Sequence, residues 1–77
     1  MHLKQTMFEE INLLLCFPHA SLMQGLKVHN TADPKLIEAA KRLYDKGIID
    51  HVDGGYLTDL GQDLYSHAKK LEYALNH

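Results

Sequence analysis

The sequence has few of the features that would cross-link a chain or anchor it in a membrane. Its single cysteine, Cys16, excludes an internal disulfide and fits a reducing compartment. There is no tryptophan. The apolar run at Leu13–Phe17 is far shorter than the ~20 residues of a membrane span and too short for the core of a signal peptide. We therefore expect a cytoplasmic protein with no membrane segment.

A strong excess of charge is also absent, since the net charge is −2 over 77 residues. The charge is uneven: residues 19–46 carry five basic and three acidic side chains, whereas residues 47–77 carry two basic and five acidic ones. DNA-binding domains are usually basic, so an anionic partner is expected, if anywhere, at the middle segment. The length predicts one domain, residues 1–77, with a small core.

The first predicted helix begins at Thr6. Thr6-Met7-Phe8-Glu9 has the form of a capping box, in which the Thr and Glu side chains bond to free amides of the first turn. Pro18 disfavours helix at the residue before it and ends the element. Cys16 is expected to be a buried, inert thiol. The apolar positions that fall on one face are Met7, Phe8, Ile11, Leu14 and Leu15.

The segment between Pro18 and Asp33 has two interpretations. Ser21 suits the start of a helix of one or two turns that ends near Gly25. Leu26 and Val28 alternate with polar residues, which is typical of a short strand. The short helix followed by a turn is slightly favoured.

The next helix has clear local signals. Asp33 is a good N-cap, Pro34 suits the first helical position, and Gly47 suits the end. Glu38 and Arg42 are spaced for an i,i+4 ion pair. The predicted inward stripe is Leu36, Ala39, Ala40 and Leu43, and the predicted outward side chains are Lys35, Glu38, Lys41, Arg42 and Asp45.

A β-hairpin is predicted after this helix. Ile48 and Ile49 begin the first strand, Asp53-Gly54-Gly55 forms the turn, and Tyr56-Leu57 returns as the second strand.

The last predicted helix is capped by Thr58 or Asp59, and Gly61 would let it approach the hairpin closely. Its predicted core stripe is Leu60, Leu64, Ala68, Leu71 and Leu75. Tyr65 and Tyr73 lie off that stripe, as surface residues or as a second contact face.

The predicted fold is therefore mainly α with a small β-hairpin, in the order helix, short helix, helix, hairpin, helix. This order, with the glycine-marked hairpin in Leu43–Gly61, resembles a winged helix-turn-helix domain. The stretch Gly25–Gly61 is also similar to a small uncharacterised gammaproteobacterial family whose members are labelled hypothetical or DNA-binding proteins.

The resemblance implies double-stranded DNA as the partner and a role in transcriptional regulation. In that class of fold, the helix before the wing enters the major groove. The residues it implicates are Asn30, Thr31, Lys35, Glu38, Lys41 and Arg42. The acids of the wing, Asp50 and Asp53, would repel phosphate. The alternative is a winged-helix-type module that binds no DNA and contacts proteins, including a homodimer through the C-terminal helix.

Enzyme chemistry, cofactors and metals are not predicted. The glycine pair of the hairpin is not followed by the Lys-Ser/Thr of a phosphate-binding loop. Cys16 with His19, and Asp63 with His67, have ligand-like spacing, but no second pair completes a four-ligand zinc site.

Overall fold

A computed structural model describes residues 2–18 and 25–77. In these residues the chain forms three helices and a three-stranded antiparallel sheet. The elements are α1 Gln5–Leu15, β1 Leu26–Lys27, α2 Pro34–Asp45, β2 Ile49–His51, β3 Gly54–Leu57 and α3 Asp59–Leu75. The predicted mainly α fold with a hairpin is confirmed, and the arrangement is compatible with a winged-helix-like one.

The ambiguous segment contains a strand. β1 confirms the strand interpretation for Leu26 and Lys27. The short helix predicted to start at Ser21 falls on residues 19–24, which lie outside the described residues. None of the helices in the described part of the chain is long and apolar enough to cross a bilayer.

The predicted start of α1 is wrong, and its predicted face is only partly right. The helix begins at Gln5 with Lys4 as N-cap, because the carbonyl oxygen of Lys4 already accepts hydrogen bonds from the amides of Met7 and Phe8 at 3.0 and 3.2 Å. A capping box starting at Thr6 therefore does not form.

The buried side of α1 is rotated from the predicted face. Leu13 and Leu14 are buried, and Phe17 follows them into the core, whereas Phe8 is exposed. Cys16 is also exposed, because it is the C-cap residue beyond the last helical turn. The prediction that the Cys16 thiol is buried is therefore wrong.

The prediction for α2 is confirmed at both ends. The Asp33 carboxylate accepts a hydrogen bond from the Lys35 amide at 2.9 Å, and Pro34 is the first helical residue. Gly47 follows the C-cap with φ +74°, a left-handed conformation that favours glycine. Ala39, Ala40 and Leu43 are buried, and Leu36 packs against them at the edge of the core.

The hairpin lies where it was predicted, but its turn is displaced towards the N-terminus. Val52 and Asp53 form the turn, while Gly54 and Gly55 belong to β3. The sheet order is β1-β3-β2, with Leu26 opposite Gly55. A side chain at Gly54 would collide with the Leu26 carbonyl oxygen, so this glycine admits β1 to the sheet.

α3 starts at the predicted cap. The Thr58 hydroxyl oxygen accepts a hydrogen bond from the Gly61 amide at 3.1 Å. Gly61 packs so closely on the hairpin that a Cβ there would collide with the carbonyl oxygen of Ile48, which confirms the predicted close approach. Tyr65 is buried and its hydroxyl donates to the Phe17 carbonyl oxygen at 3.2 Å. Its assignment to the surface is wrong.

Candidate interaction surfaces

Four leucines of α3 form an apolar strip of which three are exposed, here named the leucine face: Leu60, Leu64, Leu71 and Leu75. At 3.6 residues per turn they lie within about 60° of one another around the helix axis. Leu60, Leu71 and Leu75 are 49%, 57% and 76% exposed, whereas Leu64 is half-buried and packs against the core. The predicted core stripe is therefore wrong for its three exposed leucines and partly right for Leu64 and Ala68.

Tertiary contacts on a neighbouring side of α3 explain this exposure. Gly61 lies against Ile48, and Tyr65 bonds to Phe17. Both residues lie about a quarter turn from the leucine face. Because these contacts fix the rotation of the helix, the leucine face lies beside the core, where Leu64 packs against it and Leu60, Leu71 and Leu75 stay exposed.

The C-terminal end of α3 and the two residues after it, here named the overhang (residues 70–77), are not covered by the described part of the chain. Every residue from 70 to 77 is exposed. A helix that is not packed against a protein core is only marginally stable in water, so most helical stability comes from burying an apolar face. An exposed apolar strip on such a helix marks a surface for protein contact.

The structure places the predicted recognition residues in different surroundings. Arg42 does not face solvent, because its Nε lies 3.1 Å from a Glu10 carboxylate oxygen and its Nη2 lies 3.5 Å from Glu9. It packs between α2 and α1 with a side chain that is 30% exposed. The predicted outward direction of Arg42 and its pairing with Glu38 are therefore wrong.

Glu38 pairs instead with Lys41, at 3.6 Å across one turn, and both side chains are exposed. Asn30, Thr31 and Lys35 are exposed around the N-terminus of α2. Among the described residues, the Lys35 side chain has no ion-pair partner. The predicted set thus divides into three exposed residues without ion pairs, one exposed pair and one arginine held by α1.

Glu10 is the acid at the centre of the α1–α2 contact. It is buried and accepts hydrogen bonds from Arg42 and Lys46. Burial raises the pKa of the Glu10 carboxyl, but hydrogen bonds and charge from Lys46 and Arg42 outweigh it, so the pKa lies below its usual value. Sequence inspection missed Glu10, whose only signal is an acid one turn before the buried Leu13 and Leu14.

Both acids of the hairpin also have partners within the chain. Lys27 of β1 forms an ion pair with Asp53, which lowers the pKa of that carboxyl. The Asp50 carboxylate accepts from the Tyr56 amide at 2.8 Å and contacts His51 at 2.7 Å, and these bonds lower its pKa. The hairpin therefore carries one ion pair, Lys27 with Asp53, and one hydrogen-bonded carboxylate, Asp50.

A groove of about 390 Å³ lies between β1, α2 and the hairpin tip. Val28, Ile37 and Ala40 supply apolar walls, and Asn30 and Lys41 line it as polar groups. It brings two of the predicted recognition residues together.

Metal ligands do not cluster in residues 2–18 and 25–77: no three His, Cys, Asp or Glu side chains there are placed to hold an ion. Asp63 and His67 lie 3.6 Å apart on the surface of α3. His19, the predicted neighbour of Cys16, is outside the described residues.

The fold and these surfaces define a small, mainly helical domain with a three-stranded sheet and an unpaired apolar helix face. The chain belongs to a family of unknown function, DUF5669, which it matches over residues 1–76. Neither the curated proteins nor the solved structures contain a match to it.

Proposed function

We propose that this chain is a non-enzymatic protein-interaction module that self-associates through the leucine face of α3. The observation that carries the proposal is the exposure of Leu60, Leu71 and Leu75, each about half or more, along a strip ~23 Å long. Fully burying a leucine side chain stabilises by ~1.5–3 kcal/mol, and half-exposed leucines recover part of that on association.

The area that a stable interface must bury sets which residues beside the leucines take part. A specific interface buries at least ~1,000 Å² in total. One helix face is narrow, so a stable contact also needs the exposed residues 70–77 to lie against the partner.

Sedimentation equilibrium of the pure chain over micromolar to millimolar concentrations tests this proposal. We expect the wild-type mass to rise above the monomer value. Leu71→Glu, which puts a charge in the centre of the face, is expected to hold the chain at monomer mass. Tyr73→Glu is the matched control, because Tyr73 is 69% exposed on nearly the opposite side of the same helix.

Circular dichroism of both variants checks that the fold is kept. A wild-type chain that stays monomeric at every concentration would refute the proposal. Equal effects of the two substitutions would also refute it, since only one of them touches the leucine face.

DNA binding is the second candidate, favoured by the exposure of Asn30, Thr31 and Lys35 around the N-terminus of α2. Recognition helices contact bases through this end. It ranks second because Arg42, Lys41 and Lys27 are each paired with acids of the same chain. Separating such pairs would oppose the gain from phosphate contact.

Titration of labelled duplex DNA at low salt tests the second candidate. If the α2 end binds, Lys35→Glu is expected to weaken affinity about tenfold or more, because the substitution removes one phosphate contact and adds repulsion. Lys4→Glu is the control, since it changes the net charge equally at an exposed site before α1. No binding at low salt, or equal losses in both variants, would eliminate this candidate.

A further inference from the structure

We infer that the occupant of the leucine face is a second copy of the chain, with the two α3 helices antiparallel. This inference rests on the proposed function and adds the orientation and register of the paired helices. Three features of α3 support it: the spacing of the leucines, the charges beside them, and the overhang of the helix.

The leucine spacing is the same when read in either direction. Leu60, Leu64, Leu71 and Leu75 follow one another at intervals of four, seven and four residues. Two antiparallel copies centred between His67 and Ala68 therefore place Leu64 against the partner's Leu71, and Leu60 against the partner's Leu75. All eight leucines of the pair then meet a leucine.

The charges beside the leucine face have the same symmetry. Asp63 and Lys70 lie on the side of the leucine face away from the core, about 90° to 110° from its centre. Lys70 has no ion pair within the described residues, and Asp63 contacts only the exposed His67 there, at 3.6 Å.

A two-fold axis between antiparallel helices brings the same flank of each helix together. Asp63 then lies within ~3 Å, along the axis, of the position opposite the partner's Lys70, and the contact occurs twice. A parallel pair would instead set this flank against the side of the partner that carries the buried Gly61 and Tyr65. Flanking charges of this kind select the orientation of paired helices.

The overhang of α3 favours the same orientation. The N-terminal half of α3 is attached to the domain through Gly61 and Tyr65, and the overhang, residues 70–77, is exposed. Antiparallel helices lay each overhang alongside the partner's attached half, so contact beyond the leucines is gained. Parallel helices would place both domains at the same end of the pair. The two overhangs would then contact each other and neither domain.

Disulfide trapping tests the register. It is done in a Cys16→Ser background, because this substitution removes the native exposed thiol. A disulfide requires Cα atoms within ~7 Å. Leu64→Cys mixed with Leu71→Cys is expected to give a covalent heterodimer. Each variant alone is expected to stay reduced, because its two copies would lie ~10 Å apart along the axis.

Charge exchange gives an independent test by sedimentation. Asp63→Lys and Lys70→Asp are each expected to weaken the dimer about tenfold, because each loses two ion pairs and gains two repulsions. The double variant restores both pairs and is expected to return within about threefold of wild type.

The outcomes separate the two proposals. A wild-type chain that stays monomeric refutes both the proposed self-association and the antiparallel register. A dimer that is lost in Leu71→Glu, but that forms disulfides within each single-cysteine variant, is parallel and overturns only this inference. A dimer whose charge-exchanged double variant stays as weak as the single ones, or that traps no heterodimer, overturns it as well.

Discussion

At the scale of the residue, two basic side chains of the middle segment serve the fold. Glu10 on α1 accepts from Arg42 and Lys46 on α2, across 32 and 36 positions of sequence. This neutralisation joins residues so far apart that no local spacing reveals it. A charge count over residues 19–46 therefore suggested an anionic partner, although two of its five cations are held by an acid outside that segment.

The Glu10 contact makes a prediction for stability. Glu10→Gln is expected to lower the free energy of unfolding at pH 7 by ~1–3 kcal/mol, because hydrogen bonds to a charged group are replaced by weaker neutral ones. Urea unfolding followed by circular dichroism, at the same protein concentration for both chains, measures the difference.

The pH dependence of that difference follows from the lowered pKa of Glu10. The stabilisation is fully present above the pKa of an unfolded glutamate, ~4.3, and is lost as the pH falls through the lower pKa of the folded state. The gap between wild type and Glu10→Gln should therefore narrow as the pH falls below the pKa of an unfolded glutamate, ~4.3. Glu38→Gln, in the exposed pair with Lys41, is the control and should show almost no gap. A gap that stays constant with pH would contradict this account of Glu10.

At the scale of the element, the contact between α3 and the hairpin depends on one missing side chain. Gly61 is buried inside a helix, where glycine costs ~1 kcal/mol relative to alanine. Its position against the Ile48 carbonyl oxygen leaves no space for a Cβ.

Gly61→Ala is therefore expected to destabilise the fold by ~1–3 kcal/mol, because α3 must move away from the hairpin and the gain in helix propensity is smaller. Ser66→Ala is the control at an exposed position of the same helix, where the propensity gain should appear alone. Thermal unfolding of both variants decides the point, and a Gly61→Ala chain more stable than wild type would disprove the close packing.

Elements with local signals were predictable from sequence, and elements fixed by distant contacts were not. Asp33, Pro34 and Gly47 define both ends of α2 through short-range effects, and the prediction is correct. The hairpin turn lies earlier than predicted, because Gly54 and Gly55, which suit a turn by residue type, belong to β3. The missing side chain of Gly54 leaves room for the Leu26 carbonyl oxygen of β1, a contact from outside the hairpin.

At the scale of the whole molecule, the choice of buried face on α3 could not be made from the sequence. The helix carries a leucine strip and, a quarter turn away, Gly61 and Tyr65. Hydrophobicity favours the leucines as core. The structure buries the second side, because Gly61 permits the closest backbone approach and the Tyr65 hydroxyl reaches Phe17. The candidate site is thus a set of residues that the sequence analysis named and assigned to the interior.

The pairing of β1 with β3 has a consequence for how the chain acquires its structure. Leu26 and Gly55 are partners across the sheet, and all of α2 lies in the loop between them. Closing a loop of this length carries an entropic cost that grows with the logarithm of its length. α2 can begin to form from its own local signals, whereas β1 gains its partners only when that loop closes. β1 is therefore expected to form only after α2 and the hairpin have come together.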